Sequence, residues 1–292
     1  MSELVARFFR WNNSKLVITE NIITEKFFKT FFWLSVMVYR VLKPQLAGKS
    51  SYVTIHNFDG NLSLKIDKSR SMGAALYWTG FHEFREFLFL HRYLKPEMVF
   101  IDIGANLGEY SLFAAKRLSG GKVFAFEPLP SIRSVLEQNI NLNGFKNIEV
   151  FPFGLSSQEE TMVIHEFEDV HEGLATLFPG GRQSRAVIAV ELKKLDDVIS
   201  LYKTNRIDFI KVDIEGAELK ALQGCRSLIK IYSPVFMVEI NEETYKAAGY
   251  VVDDVLDFFI KVNYQPYQIK KRGFIKKCEV LPAFGNILFI PQ

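Results

Sequence analysis

Val99-Phe-Ile-Asp-Ile-Gly-Ala-Asn-Leu-Gly-Glu-Tyr-Ser111 decides the fold of this 292-residue chain. An apolar run leads into an acid, then a glycine-spaced turn, then the opening of a helix. Strand, loop and helix in that order make the nucleotide-binding corner of an open α/β sheet. Glycines at 104 and 108 allow a sharp turn and a close ligand approach that a Cβ would hinder. A dinucleotide fingerprint would read G-x-G-x-x-G and seat a pyrophosphate on the helix N-terminus. Here the spacing is G-x-x-x-G, and Asp102 stands just before the first glycine. A carboxylate there repels a pyrophosphate and attracts a ligand bearing ammonium and sulfonium charges. The expected cofactor is therefore S-adenosyl-L-methionine and not NAD.

Composition sets the outer bounds. Hydrophobic residues make up 48% and charged residues 24%, enough for a packed core and inconsistent with disorder. A net charge of +3 is too small to point to nucleic acid as a partner. Cys225 and Cys278 form no C-x-x-C pair, which disfavours metal and redox roles and fits reduced thiols in the cytoplasm. No N-terminal signal peptide is evident. Residues 27–42 are apolar nearly all round, with Lys26, Lys29, Arg40 and Lys43 at or near the ends. A bilayer span needs about 20 mostly apolar residues; this run is shorter and is interrupted by Lys29-Thr30 and Ser35. Packing on the main domain, or in a homodimer contact, is the plain expectation, and a peripheral membrane contact is the alternative.

Three regions follow from the pattern. Residues 1–48 read as a helical extension. Residues 49–95 read as a β-hairpin, turned at Asp59-Gly60, and a helix with Phe84, Phe87, Leu88, His91 and Leu94 at helical spacing. Residues 96–292 read as the main domain, in which strands alternate with helices. Predicted strands at 98–103, 122–126, 147–153, 206–212 and 235–240 are followed by two more at 264–269 and 286–291. The prediction is a seven-stranded, mostly parallel Rossmann-like sheet with helices on both faces and one antiparallel strand. Residues 156–195 look irregular, with strand-like runs at 161–166 and 186–192.

Ligands in such sheets lie beyond the carboxyl ends of the strands. Those ends carry Asp102, Glu127, Asp213 and Glu239, an electronegative rim suited to a cationic cofactor and a polyhydroxylated substrate. Glu127 also sits where an acid accepts hydrogen bonds from ribose hydroxyls. Asn106 can cap the first helix of the domain as well as touch the cofactor.

Asp102-Ile-Gly-Ala-Asn-Leu-Gly-Glu-Tyr-Ser111, Phe126-Glu-Pro128 and the run Ile207-Asp-Phe-Ile-Lys-Val-Asp-Ile-Glu-Gly-Ala-Glu218 together resemble the FkbM family of S-adenosylmethionine-dependent methyltransferases, as does Gly80-Phe-His-Glu83 upstream. The resemblance covers about residues 75–291. It implies a class I methyltransferase fold and O-methylation, often of a hydroxyl on a sugar or a glycosylated natural product. By position it implies cofactor binding by Asp102, Gly104, Asn106, Gly108 and Glu127, with Asp213 lining the methyl site. Ser156, at the end of the third strand, is placed with the cofactor set.

Methyl transfer to an alcohol gains from a general base. Asp213 is the first candidate and Glu239 the second; His82, His165 and His171 are further candidates, of which His82 lies beside Glu83 where it could close over the site. A metal held by Asp213, Glu215 and Glu239 is conceivable, but nothing in the spacing demands one, and none is expected. A basic run at 270–277 reads as a solvated loop. The competing readings are methylation of a protein or nucleic-acid nitrogen, disfavoured because Asp213-Ile-Glu215 lacks an Asn/Asp-Pro-Pro-aromatic sequence, and a non-catalytic cofactor-binding module.

Overall fold

The computed structural model describes residues 2–18, 28–38, 41, 52–167, 175–181, 183–202 and 204–292. Helix α1 (Ser2–Ile18) and a helix over 28–38 (α2) precede a hairpin of β1 (Tyr52–Phe58) and β2 (Leu62–Asp67). Asp59 and Gly60 both take positive φ at its turn, as the tightest hairpins require. Helix α3 (Ser71–Thr79), which the sequence pattern did not disclose, and α4 (Phe84–Tyr93) lead into the main sheet. That sheet starts with β3 (Val99–Ile103), α5 (Glu109–Arg117), β4 (Lys122–Phe126), α6 (Pro130–Asn143) and β5 (Ile148–Phe151). Next come β6 (Gly154–Leu155), β7 (Glu160–Glu166), β8 (Ala175–Thr176) and β9 (Ala186–Lys193). The chain then runs through α7 (Leu195–Ser200), β10 (Phe209–Val212), α8 (Glu218–Gln223), α9 (Arg226–Tyr232) and β11 (Val235–Asn241). It finishes with α10 (Glu242–Ala248), α11 (Val252–Lys261), β12 (Tyr264–Ile269), β13 (Ile275–Lys277) and β14 (Phe284–Pro291).

The main sheet has eight strands, in the order β13-β12-β14-β11-β10-β3-β4-β5, not the seven expected. β14 is the antiparallel strand beside β11, as the terminal strand pair suggested. The eighth strand comes from the basic run 270–277: after a 3-10 turn at Lys271–Gly273, it folds back on β12 instead of staying a loop. The stretch expected to be irregular makes a second sheet, β6-β9-β7-β8. Alternation of buried and outward residues along β7 and β9 closes that antiparallel pair over a small apolar cluster of Leu129, Ile164, Val190 and Leu192.

Both faces of the main sheet are buried, so its central strands are continuously apolar. Phe100, Ala125, Phe209 and Met237 face a core shared with α1, α3, α4, α5 and the hairpin. Ile101, Phe124, Ile210 and Phe236 face a second core under α7, α8, α9 and α11. The hairpin is fastened to α6 by two amides. Asn139 accepts from the Lys65 N–H at 2.7 Å, and Asn143 accepts from the Ser63 N–H at 2.7 Å. No helix of the described residues is long and apolar enough to cross a membrane.

Candidate active site

Strand register builds the site. Ile103 pairs with Phe126 and with Val212, and Val212 pairs with Val238. The next residues therefore form one row across the carboxyl rim: Gly104, Glu127, Asp213 and Glu239, with Asn286 paired to Glu239. Because side chains alternate, the three acids project to the face covered by α3, α4 and α5. One row deeper on the same face lie Asp102 and its register partner Lys211.

A cleft of about 1170 Å³, counted out to its open mouth, lies above this row. His82, Glu83, Glu109, Asp213, Glu215 and Glu239 supply its acidic side with the one histidine. Leu129, Ile132, Ile164, Leu177 and Leu192 supply an apolar side, much of it from the second sheet. Gly104, Asn106 and Glu127 lie in the wall as well.

Three residues of the expected cofactor set do not reach the cleft. Asp102 is fully buried a row below the rim, where Ser111 Oγ donates to its Oδ2 at 2.6 Å. Gly108 serves helix packing: its φ is +96°, and a Cβ there would lie 2.6 Å from Leu136 Cδ1. Ser156 is buried and donates to Glu160 Oε1 at 2.8 Å. Gly104 lines the cleft, yet its missing Cβ makes room for protein: a Cβ would stand 2.0 Å from the Asp213 carbonyl oxygen. Asn106 does not cap α5, which begins at Glu109 after Gly108. It adopts φ of 50°, its side chain accepts from the Leu107 N–H at 2.8 Å, and its own N–H donates to Glu127. Helix α8 begins at Glu218, after Glu215 and Gly216 turn through positive φ. His165 lies on β7 against Ser184 and outside the cleft wall, and His171 lies outside the described residues.

The electrostatics centre on Lys211, which the sequence reading passed over. Its side chain is 3% exposed, and its ammonium lies 2.8 Å from Asp213 Oδ2 and 4.6 Å from the centre of the Tyr110 ring. A lysine inside Phe209-Ile-Lys-Val was a legible signal, because a lysine is seldom buried without a partner. Burial disfavours its charge, but Asp213 and Asp102 outweigh that and hold it protonated. Burial also works against an ionised Asp213, and Lys211 overcomes it, keeping this carboxyl below its usual range. Glu239 shares a hydrogen bond with Asp213 and goes the opposite way: burial, then the Asp213 and Glu215 charges, push it well above the carboxylate range. Neighbouring carboxyls thus divide into one ionised and one protonated.

Two further acids were missed. Glu83 accepts from the Tyr110 hydroxyl at 2.6 Å and from Asn286 Nδ2, joining α5 to β14. Glu109 accepts from the His82 N–H at 2.9 Å, and burial raises it to about 8. Its other oxygen, Oε2, is buried with no hydrogen-bond partner. Glu127, 5% exposed, accepts from the N–H groups of Asn106 and Leu129, both at 3.0 Å, while burial still lifts it to about 7. Carboxylate oxygens of Asp213, Glu215 and Glu239 lie within 4.8 Å of one another. Lys211 already pairs with Asp213 at this cluster.

The sequence profile of the methyltransferase FkbM domain matches residues 102–274, which run from Asp102 through the rim to the turn before β13. The chain belongs to the FkbM methyltransferase family. This FkbM-family chain is 33% identical over 153 residues to Methyltransferase sdnD of Sordaria araneosa, covering 42% of this chain and 59% of that one. It is 31% identical over 206 residues to the AMB antimetabolite synthetase AmbE of Pseudomonas aeruginosa, covering 59% of this chain and 10% of that one. The chain thus spans less than two thirds of either curated relative. A crystal structure of methyltransferase FkbM from Methylobacillus flagellatus KT superposes with a TM-score of 0.45 at 16% identity, over 88% of this chain and 58% of that one. His82 and Glu83 precede the residues that the FkbM profile matches, although they wall the same cleft.

Proposed function

We propose that this FkbM-family methyltransferase uses S-adenosyl-L-methionine to methylate a hydroxyl of a sugar, glycan or glycosylated natural product. The observation that carries the reading is the row of acids at the rim, with Asp213 paired to buried Lys211 at 2.8 Å and set beside Glu239, in a cleft that also holds Glu127 and the 104–106 turn. The donor set suits the cofactor. Glu127 has lone pairs left for ribose hydroxyls, and the unpartnered Oε2 of Glu109 suits an ammonium. Leu129, Ile132 and Leu192 offer an apolar surface for an adenine ring.

When bound, S-adenosyl-L-methionine supplies an electrophilic methyl group on a sulfonium. Asp213 is the base: its carboxylate would accept the proton of an acceptor hydroxyl held over the rim. Lys211 holds Asp213 ionised and oriented for this step. Protonated Glu239 serves as a donor that fixes the acceptor, and His82, exposed at the mouth, contacts its outer part. Two free cysteines fit a reducing compartment such as the cytoplasm. A panel of glycans and glycosylated small molecules incubated with methyl-labelled cofactor tests the proposal. Label in an alkali-stable methyl ether on a sugar is the expected product; label only on nitrogen refutes it.

A further inference from the structure

The two N-terminal helices turn apolar side chains outward. On α2 the exposed positions are Thr30, Trp33, Leu34 and Met37, and Val41 continues the same rhythm. That spacing is one helical face. On a helix that only covers a core, the outer face should be polar. Here Trp33 is 58%, Met37 63% and Val41 67% exposed, and none of the described residues of that stripe is charged. Ser35 points inward instead, fully buried and hydrogen-bonded to Asn13. Helix α1 repeats the inversion with Leu4, Phe8 and Trp11 exposed. Rings join the two helices into one surface: Phe8 meets Phe31 edge-on at 5.0 Å, and Trp11 meets Phe28 at 6.0 Å.

Charge selects the occupant. Residues 26–58 contain five bases, Lys26, Lys29, Arg40, Lys43 and Lys49, and no acid; residues 2–25 balance Arg7, Arg10 and Lys15 against Glu3, Glu20 and Glu25, so residues 2–58 carry +5 where the whole chain carries +3. Exposed Arg7 adds another base beside Phe8. A second copy of the chain would bring this basic segment against itself, since a two-fold contact is isologous. An anionic bilayer attracts it while accepting the aromatic and aliphatic side chains.

We propose that the joined outer face of α1 and α2 docks on the surface of an anionic lipid bilayer. The face is built directly on the segment that walls the cleft. Phe32 packs on Phe84 at 4.6 Å, Asn13 donates to the Thr79 carbonyl at 2.7 Å, and Arg10 donates to the Tyr77 carbonyl. Met72, His82 and Glu83 of that segment line the cleft. Docking therefore holds one edge of the cleft near the headgroups, where an acceptor carried on a lipid would be within reach.

Flotation of the full chain with vesicles tests this without reference to catalysis. Vesicles of phosphatidylglycerol and phosphatidylcholine should carry the protein up the gradient, and pure phosphatidylcholine should carry far less. Trp33→Ser/Met37→Ser should lower partitioning about tenfold or more through lost apolar contact. Arg7→Gln/Lys29→Gln should lower it about fivefold per residue, and added salt should mimic that loss. Trp33→Ser/Met37→Ser should keep the wild-type unfolding midpoint, because both side chains face outward. Failure to float with anionic vesicles, or flotation unchanged in both variants, overturns the proposal. So does a wild-type dimer that Trp33→Ser/Met37→Ser converts to monomer without any vesicle affinity.

Discussion

Replacing Lys211 by Met removes the one ammonium beneath the rim and leaves its acids facing each other. The aliphatic stem of Met fills similar space, so the change is chiefly in charge. Breaking a buried pair by deleting one partner typically costs about 3–5 kcal/mol. Asp213 is 28% exposed and keeps some solvation, which reduces the expected loss to about 2–4 kcal/mol at pH 8. That is a large part of a typical total stability of about 5–15 kcal/mol. At pH 5.5 Asp213 can take up a proton once Lys211 no longer holds it ionised, and the cost should fall by half or more. Urea unfolding of Lys211→Met at both pH values measures this directly. In the double variant Lys211→Met/Asp213→Asn much of the loss should return, giving a coupling of about 1–3 kcal/mol. A loss below about 0.5 kcal/mol at pH 8 would refute the assignment, as would equal losses at the two pH values, since an exposed pair would behave that way.

Three other outcomes follow from the same cleft. Glu127→Ala should weaken S-adenosylhomocysteine binding by about 1–3 kcal/mol, through loss of a charged acceptor; unchanged affinity in calorimetry would remove Glu127 from the cofactor site. With an acceptor in hand, Asp213→Asn should reduce turnover by about a hundredfold to ten-thousandfold and leave cofactor affinity nearly unchanged; equal turnover would exclude Asp213 as the base. Finally, burial lifts Glu86 and Glu109 to about 8, and Glu127 and Glu218 to about 7. Between the unfolded carboxylate range and those values the native protein binds more protons than the unfolded chain, so stability falls as pH rises from about 5 to 8. Asp213, shifted downward, keeps its full contribution across this window and loses it only as pH falls below the ordinary carboxylate range. Thermal melts should show this decline, and a melting temperature that stays flat or rises across that window contradicts it.

Much of the fold was legible because a parallel sheet buried on both faces writes its strands as apolar runs, and β4 and β12 fall where the pattern put them. The antiparallel strand beside β11 was readable from the terminal strand pair. The second sheet was not, since β6 and β8 are two residues each and their pairing depends on distant partners. α3 was hidden because it is buried nearly all round, leaving no polar stripe to set a period. For the site, the rim acids were found from strand ends, and Glu127, Asp213 and Glu239 do share one hollow. Asp102 was misplaced because its distance from the rim is a matter of register: two residues along a strand is one full row, enough to put a carboxylate under α5 instead of in the cleft. Lys211 follows from the same count, and Glu83 and Glu109 required knowing which helix lies over which strand.

Glu83 also has a bearing on how the molecule is made. Its hydrogen bond to Asn286 spans 203 positions of the sequence. At the roughly 5–20 residues per second of a working ribosome, Asn286 is joined to the growing polypeptide about 10–40 s after Glu83. Throughout that interval the nascent protein lacks β14, and the carboxylate at the mouth of its pocket has no strand to lean on.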